Sequence, residues 1–153
     1  LNIARSIGHS LAKKALAAKF NGAVISLNEP LKNSGELEIL TFNEEEGRKI
    51  FWHSSAHLMA QAIKRIYPKA QLGIGPPIDD GFYYDIDLEQ TISPEDFPAI
   101  EAEMAKIVDE NYPTERKALT ADEAIEFFAK EHELLKVELL QDLKAEGQVI
   151  SVY

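Results

Sequence analysis

The 153-residue chain contains no cysteine. That excludes disulfides and every cysteine-ligated zinc site within this sequence. Positive charge is also scarce: 16 Lys and Arg stand against 26 Asp and Glu, a net charge of −10. The cations come in small groups, Lys13-Lys14, Lys64-Arg65 and Arg116-Lys117. A broad nucleic-acid surface needs clustered Lys and Arg, so charge argues against one. No apolar run is long enough to span a bilayer, so no membrane partner is expected. No basic stretch followed by an apolar core marks a secretory signal, and a cytoplasmic location is the expectation. Internal repeats and low-complexity tracts are missing too. What remains is a chain with 45% hydrophobic residues, enough to build one domain or two small ones.

The first forty-odd residues alternate short apolar runs with turns. Residues 2–7 read as a short helix broken near Gly8. Asn21-Gly22, between Ala18-Lys19-Phe20 and Ala23-Val24-Ile25, predicts a hairpin with a type I′ turn, which needs positive φ at both central residues. Pro30 and Asn33-Ser34-Gly35 mark further turns, and residues 36–42 read as a strand.

A boundary falls near Asn43, giving modules 1–43 and 44–153. Asn43 is expected to cap the next helix, with Glu46 in the reciprocal position, and Pro68 to end it. At about 100° per residue, Phe51, Ser55, Leu58, Ala62 and Ile66 form an apolar stripe widened by Met59 and Ile63. Ser93-Pro94-Glu95-Asp96 predicts a helix start, with Phe97, Ile100, Met104, Ile107 and Val108 facing inward. After Pro113, residues 114–119 read as a strand. Thr120-Ala121-Asp122-Glu123 is a second capping box, opening a helix with Phe127 and Phe128. Residues 134–143 read as helix, stopped by Gly147, and residues 149–153 as a strand.

The chemistry-bearing stretch is His53-Ser54-Ser55-Ala56-His57, which holds two of the four histidines. Four residues apart on a helix, they share one face, and that face lies opposite the apolar stripe, near Lys64. They are therefore either solvated or part of a pocket wall. Zinc needs a third protein ligand. His9 lies in the other module, and His132, among Lys130, Glu131 and Glu133, reads as a surface helix residue. No metal is expected to be held by this sequence alone. Downstream, Gly73-Ile74-Gly75-Pro76-Pro77 and Asp80-Gly81-Phe82-Tyr83-Tyr84-Asp85 combine glycines that let a ligand approach backbone with rigid prolines and aromatics.

Taken together, His53-Ser-Ser-Ala-His57-Leu58, Ile74-Gly75-Pro76 and Asp80-Gly81-Phe82-Tyr83-Tyr84-Asp85 resemble the editing domain of bacterial-type threonyl-tRNA synthetases. The run from Phe20-Asn21-Gly22 to Phe42 resembles the small ubiquitin-like module that precedes it. The resemblance implies an α+β fold: a partial β-grasp (ubiquitin-like) module, then an α+β editing domain. It implies hydrolysis of serine wrongly esterified to the threonine tRNA, a substrate that a synthetic site rejects poorly because a missing methyl gives only about 10–200-fold discrimination.

By the same resemblance His53 holds or activates water and Lys136 shares the catalytic work. His57, Gly75 and Tyr84 bind the substrate end. From the residues alone, Lys136 is a solvated helix lysine, Gly75 a strand-to-turn glycine and Tyr84 a core tyrosine. The implied partner is tRNA, met at its aminoacylated 3′ end. The intact enzyme is implied to be a homodimer, with this stretch alone monomeric. ATP, Mg and zinc are expected in a synthetic core outside this sequence, and no cofactor within it. The family's pocket also uses a Cys and a His in a Cys-Arg-Gly-Pro-His-like segment, which this sequence lacks, so an internal stretch of a longer chain is expected. Two alternatives stand beside this reading: an alanyl-type zinc-dependent editing hydrolase, and a noncatalytic ubiquitin-like regulatory module.

Overall fold

A computed structural model describes residues 1–113, 117–145 and 150–152. In chain order the elements are helices α1 (Asn2–Ile7) and α2 (His9–Lys14), strands β1 (Ala17–Phe20), β2 (Ala23–Ile25) and β3 (Leu37–Leu40), and the long helix α3 (Glu45–Ile66). The short strands β4 (Gln71–Leu72), β5 (Pro77–Ile78), β6 (Gly81–Phe82) and β7 (Ile86–Asp87) follow. A 3₁₀ turn (Pro94–Asp96) leads into α4 (Phe97–Glu110), then β8 (Lys117–Leu119), α5 (Ala121–Lys130), α6 (Leu134–Ala145) and β9 (Ile150–Val152). Among the described residues no helix is long and apolar enough to cross a membrane.

The chain divides into two compact units: Leu1–Ser55 with Pro77–Phe82, and Ala56–Pro76 with Tyr83–Tyr153. Helix α3 supplies residues to both.

In the first unit an antiparallel sheet has the order β2-β1-β3, with Phe20 opposite Ala23 and Ala17 opposite Leu40. Its hairpin turns as the sequence predicts: Asn21 and Gly22 take φ of 49° and 85°, and the Asn21 Oδ1 accepts a hydrogen bond from the Glu36 amide at 2.9 Å. Leu40, Ala17, Ala18 and Ala4 are buried. This α+β arrangement agrees with the expected partial β-grasp module; α2 is an element that the sequence reading missed.

The start of α3 differs from expectation. Thr41 and Glu44, not Asn43 and Glu46, form the reciprocal pair: the Thr41 amide and hydroxyl both donate to Glu44 Oε2, at 2.6 and 2.8 Å. Residues 42–44 turn before the helix begins, which brings Thr41 rather than Asn43 over its first turn. Glu46 instead pairs with Lys19 at 2.5 Å. Gly47 is required here, because a β-carbon on it would sit 1.8 Å from the Thr41 carbonyl oxygen. Phe51, expected on the buried stripe, is 38% exposed. It packs edge-on against Phe42 and Trp52, each with centroids 5.2 Å away. The Phe82 ring centroid stands 6.4 Å from that of Trp52.

The second unit has two apolar clusters. Ala62, Ile63, Ala70, Ile100 and Ile107 make one, with Leu58, Met59, Ile66, Tyr67 and Met104 against it. Burying side chains such as Ile63 and Ile100 stabilises by roughly 1.5–3 kcal/mol each. Ala124, Leu140 and Ile150 make the other. The stripe on α4 is narrower than expected, since Phe97 and Val108 are exposed. The reciprocal caps at Ser93–Asp96 and Thr120–Glu123 are both present. Helix α4 stops at Asn111, which takes the left-handed conformation at φ 50°, two residues before Pro113. Strands β8 and β9 pair antiparallel, Leu119 opposite Ile150. They fall within the expected strands 114–119 and 149–153; residues 114–116, 149 and 153 lie outside the described residues, as does Gly147. His132 does not belong to a helix: it takes φ 58° in the turn between α5 and α6.

Replacing Gly47 by Ala is expected to destabilise the protein by roughly 1–3 kcal/mol or more, because the new methyl meets backbone that cannot swing aside. Urea unfolding of the two proteins measures the difference.

Candidate functional site

Within the second unit β4 and β7 pair antiparallel, and the pairing continues past their ends. The Gly73 amide donates to the Asp85 carbonyl at 2.8 Å, and the Asp85 amide to the Ile74 carbonyl at 2.9 Å. This clamp lays the Tyr84 ring directly on Gly75. A β-carbon at position 75 would stand 2.3 Å from Tyr84 Cδ2 and 2.4 Å from Cε2. Only glycine fits, so two of the expected site residues, Gly75 and Tyr84, are brought into contact. Tyr84 is half-buried. Burial first, and the negative charge of Glu133 second, hold its hydroxyl above the ordinary phenol value, so it stays neutral and able to donate a hydrogen bond.

Glu133 itself was read from the sequence as part of a solvated charge run. The left-handed turn at His132 takes it out of that run and inward, where it is 6% exposed. Its Oε1 pairs with Lys64 Nζ at 2.6 Å. Lys64 also donates to the Ala70 carbonyl at 2.9 Å, so the end of α3 and the start of α6 are tied through one ammonium. Glu133 Oε2 is buried without a hydrogen bond; the Lys136 ammonium is 3.9 Å away, beyond hydrogen-bond range.

Lys136 is not the solvated lysine that its helix position alone suggests. Its side chain is 25% exposed, and its ammonium lies 5.0 Å from the centroid of Phe128 on α5, within cation–π range. Burial holds its pKa below the ordinary lysine value. Glu133 opposes that shift and Lys64 adds to it. A lysine so placed gives up its proton more readily than one in water.

His53 and His57 are one turn apart on α3 and both exposed. They fall in different units, His53 in the first and His57 in the second. Among the described residues no group of three or more His, Cys, Asp or Glu side chains is arranged to hold a metal ion. Two imidazoles need at least a third protein ligand to hold zinc. The residues that sequence reasoning missed are Glu133 and its partner Lys64, 69 positions apart in the chain. Neither position carries a local signal of the pairing.

Charged Lys136 weakens the fold, because its proton is bound less tightly in the folded than in the unfolded state. The cost is full below the lowered folded value and vanishes as pH rises past the unfolded value near 10.5. Lys136→Met is therefore expected to be more stable than the parent near about pH 7, with the gain shrinking as pH rises through about 10. Urea midpoints at the two pH values give the comparison.

Residues 1–41 match the TGS domain. Over all 153 residues the chain is 53% identical to the threonine–tRNA ligase of Carboxydothermus hydrogenoformans, of which it covers 24%. It is 52% identical to the threonine–tRNA ligase of Enterococcus faecalis over 99% of its own length and 23% of that protein. It is 51% identical to that of Caldanaerobacter subterraneus over 99% of its own length and 23% of that protein. The chain thus spans about a quarter of the length of the curated relatives it matches.

Proposed function

For this chain, a segment of the threonine–tRNA ligase family over its whole length, we propose that residues 44–153 form most of a site that hydrolyses serine mischarged onto the threonine tRNA. Residues 1–43 are the ubiquitin-like module ahead of it, a division supported by the TGS match ending at residue 41. The intact protein joins threonine to its tRNA with ATP. The observation that carries the hydrolytic reading is Lys136: a lysine drawn out of water beside a buried carboxylate, in the unit that also presses Tyr84 onto Gly75.

The bond to be broken is the ester between the seryl carbonyl carbon and a ribose oxygen. A water attacks that carbon, loses a proton, and the ribose oxygen leaves as a hydroxyl after taking one up. Serine and intact tRNA are the products. Lys136 is placed to orient the water or, in its neutral form, to accept its proton, since a pKa lowered toward working pH is what a general base needs. The family resemblance gives His53 the role of holding or activating that water. His57 receives the ribose end. Gly75 and Tyr84 measure the side chain: the ring leaves no room for a β-carbon at 75, and this rigidity is suited to rejecting the extra methyl of threonine. The acidic surface suits contact with only the aminoacylated end of the tRNA, the remaining phosphates being met elsewhere in the ligase.

Seryl-tRNA deacylation by the intact ligase is the test. Lys136→Ala is expected to slow it by about 10²-fold or more, the usual loss on removing a general acid–base, while threonine attachment proceeds at the parental rate. Gly75→Ala is expected to impair deacylation as well, by displacing Tyr84. An unimpaired Lys136→Ala enzyme would return that lysine to a packing role.

A further inference from the structure

Glu133 is a buried carboxylate that the hydrolytic scheme does not use, and its two oxygens are treated differently. Oε1 is fixed by Lys64 at 2.6 Å. Oε2 is equally shut off from water yet accepts no hydrogen bond. A pair built only for stability leaves no such oxygen, because an unsatisfied buried acceptor is costly. A second cation, Lys136 Nζ, stands 3.9 Å from Oε2, about 1 Å beyond ordinary hydrogen-bond length.

We infer that Glu133 is a positioning residue of the candidate site: anchored by Lys64 through one oxygen, it reserves the other to hold the Lys136 ammonium against Phe128. The inference rests on the hydrolytic reading for its purpose, but not for its geometry. Glu133 has the backbone to do this. Its carbonyl accepts from the Val137 amide at 3.1 Å and its amide donates to the Phe128 carbonyl at 2.9 Å, so the carboxylate is fixed at the head of the helix that carries Lys136. The Leu134 amide beside it donates to the Gln71 side chain at 3.0 Å, a neutral group. Among the described residues, the charged and titratable groups that act on this corner include Glu133 and Lys136 at the start of α6, Lys64 from α3, and Tyr84, which remains neutral. Phe128 from α5 supplies the ring.

The consequence is a pair of opposite shifts. Removing the charge of Glu133 takes away the carboxylate that favours protonated Lys136, so its titration moves to lower pH. Removing Lys64 takes away a repelling charge and frees Glu133 for Lys136, so the titration moves to higher pH. A residue with a merely structural role predicts no such opposition.

The experiment follows the Lys136 side-chain resonance against pH by NMR in lysine-labelled protein, assigned by its loss in Lys136→Met. Glu133→Gln, which keeps shape and hydrogen bonding, is expected to titrate below the parent. Lys64→Met is expected to titrate above it. Coincident curves for Glu133→Gln and the parent overturn the assignment. Should Glu133→Gln not fold, a Lys64→Met curve at or below the parental one overturns it equally. Opposite shifts together with undiminished seryl-tRNA deacylation in Lys136→Ala uphold the Glu133–Lys136 coupling and sink the hydrolytic reading alone.

Discussion

The ion pair between Lys64 and Glu133 is the constraint on which the second unit's arrangement turns. Lys64 stands in the last turn of α3 and Glu133 at the head of α6, so a contact of 2.6 Å fixes two helix ends that are far apart in sequence. The ammonium also satisfies the Ala70 carbonyl beyond the helix end, where a cation is favoured by the helix dipole. Glu133 is almost fully shielded from water. Removing its partner would strand a buried charge, the costly half of any buried pair. The pair ties the head of α6, the helix that carries Lys136, to the end of α3.

That placement explains why the site mixes strain-free backbone with electrostatically costly side chains. Tyr84 sits on Gly75 without any positive φ at either residue; the close approach comes from the absence of a β-carbon and the two hydrogen bonds that clamp residues 73–74 to 85. Lys136, by contrast, is held where its charge is disfavoured. Ionisable groups kept in unfavourable electrostatic settings are found more often at functional sites than elsewhere.

Much of the fold was legible because the signals were local. Asn21-Gly22 dictates its own turn through positive φ, and Ser93–Asp96 and Thr120–Glu123 each close a cap within four residues. Where the reading failed, the deciding partner lay outside the window. Asn43 looks as good a cap as Thr41 until the turn at 42–44 is seen. Phe97 and Val108 have the spacing of a buried stripe, but nothing in α4 says how far its neighbours reach. In the candidate site the order is similar. Gly75 and Tyr84 lie in a stretch marked by its glycines, prolines and aromatics, though their site roles came from the family resemblance, and the fold brings them into contact. Lys136 entered only through a family resemblance, since a lysine on a helix looks alike whether solvated or buried. Glu133 was hidden altogether, because its inward turn depends on His132 adopting φ 58° and on a lysine 69 residues earlier.

The three reciprocal caps carry a consequence for acid. Glu44, Asp96 and Glu123 each accept from a backbone amide and a hydroxyl at a helix start, and these bonds, the backbone ones first, hold all three carboxyls below their ordinary values. Their contribution is complete above the unfolded carboxylate range and is lost as pH falls through the lowered folded values. Protonation in that window weakens the charge-assisted bonds at the starts of α3, α4 and α5 together. Souring the solution thus acts on three helices through one chemical event, the helix that bears His53 and His57 among them.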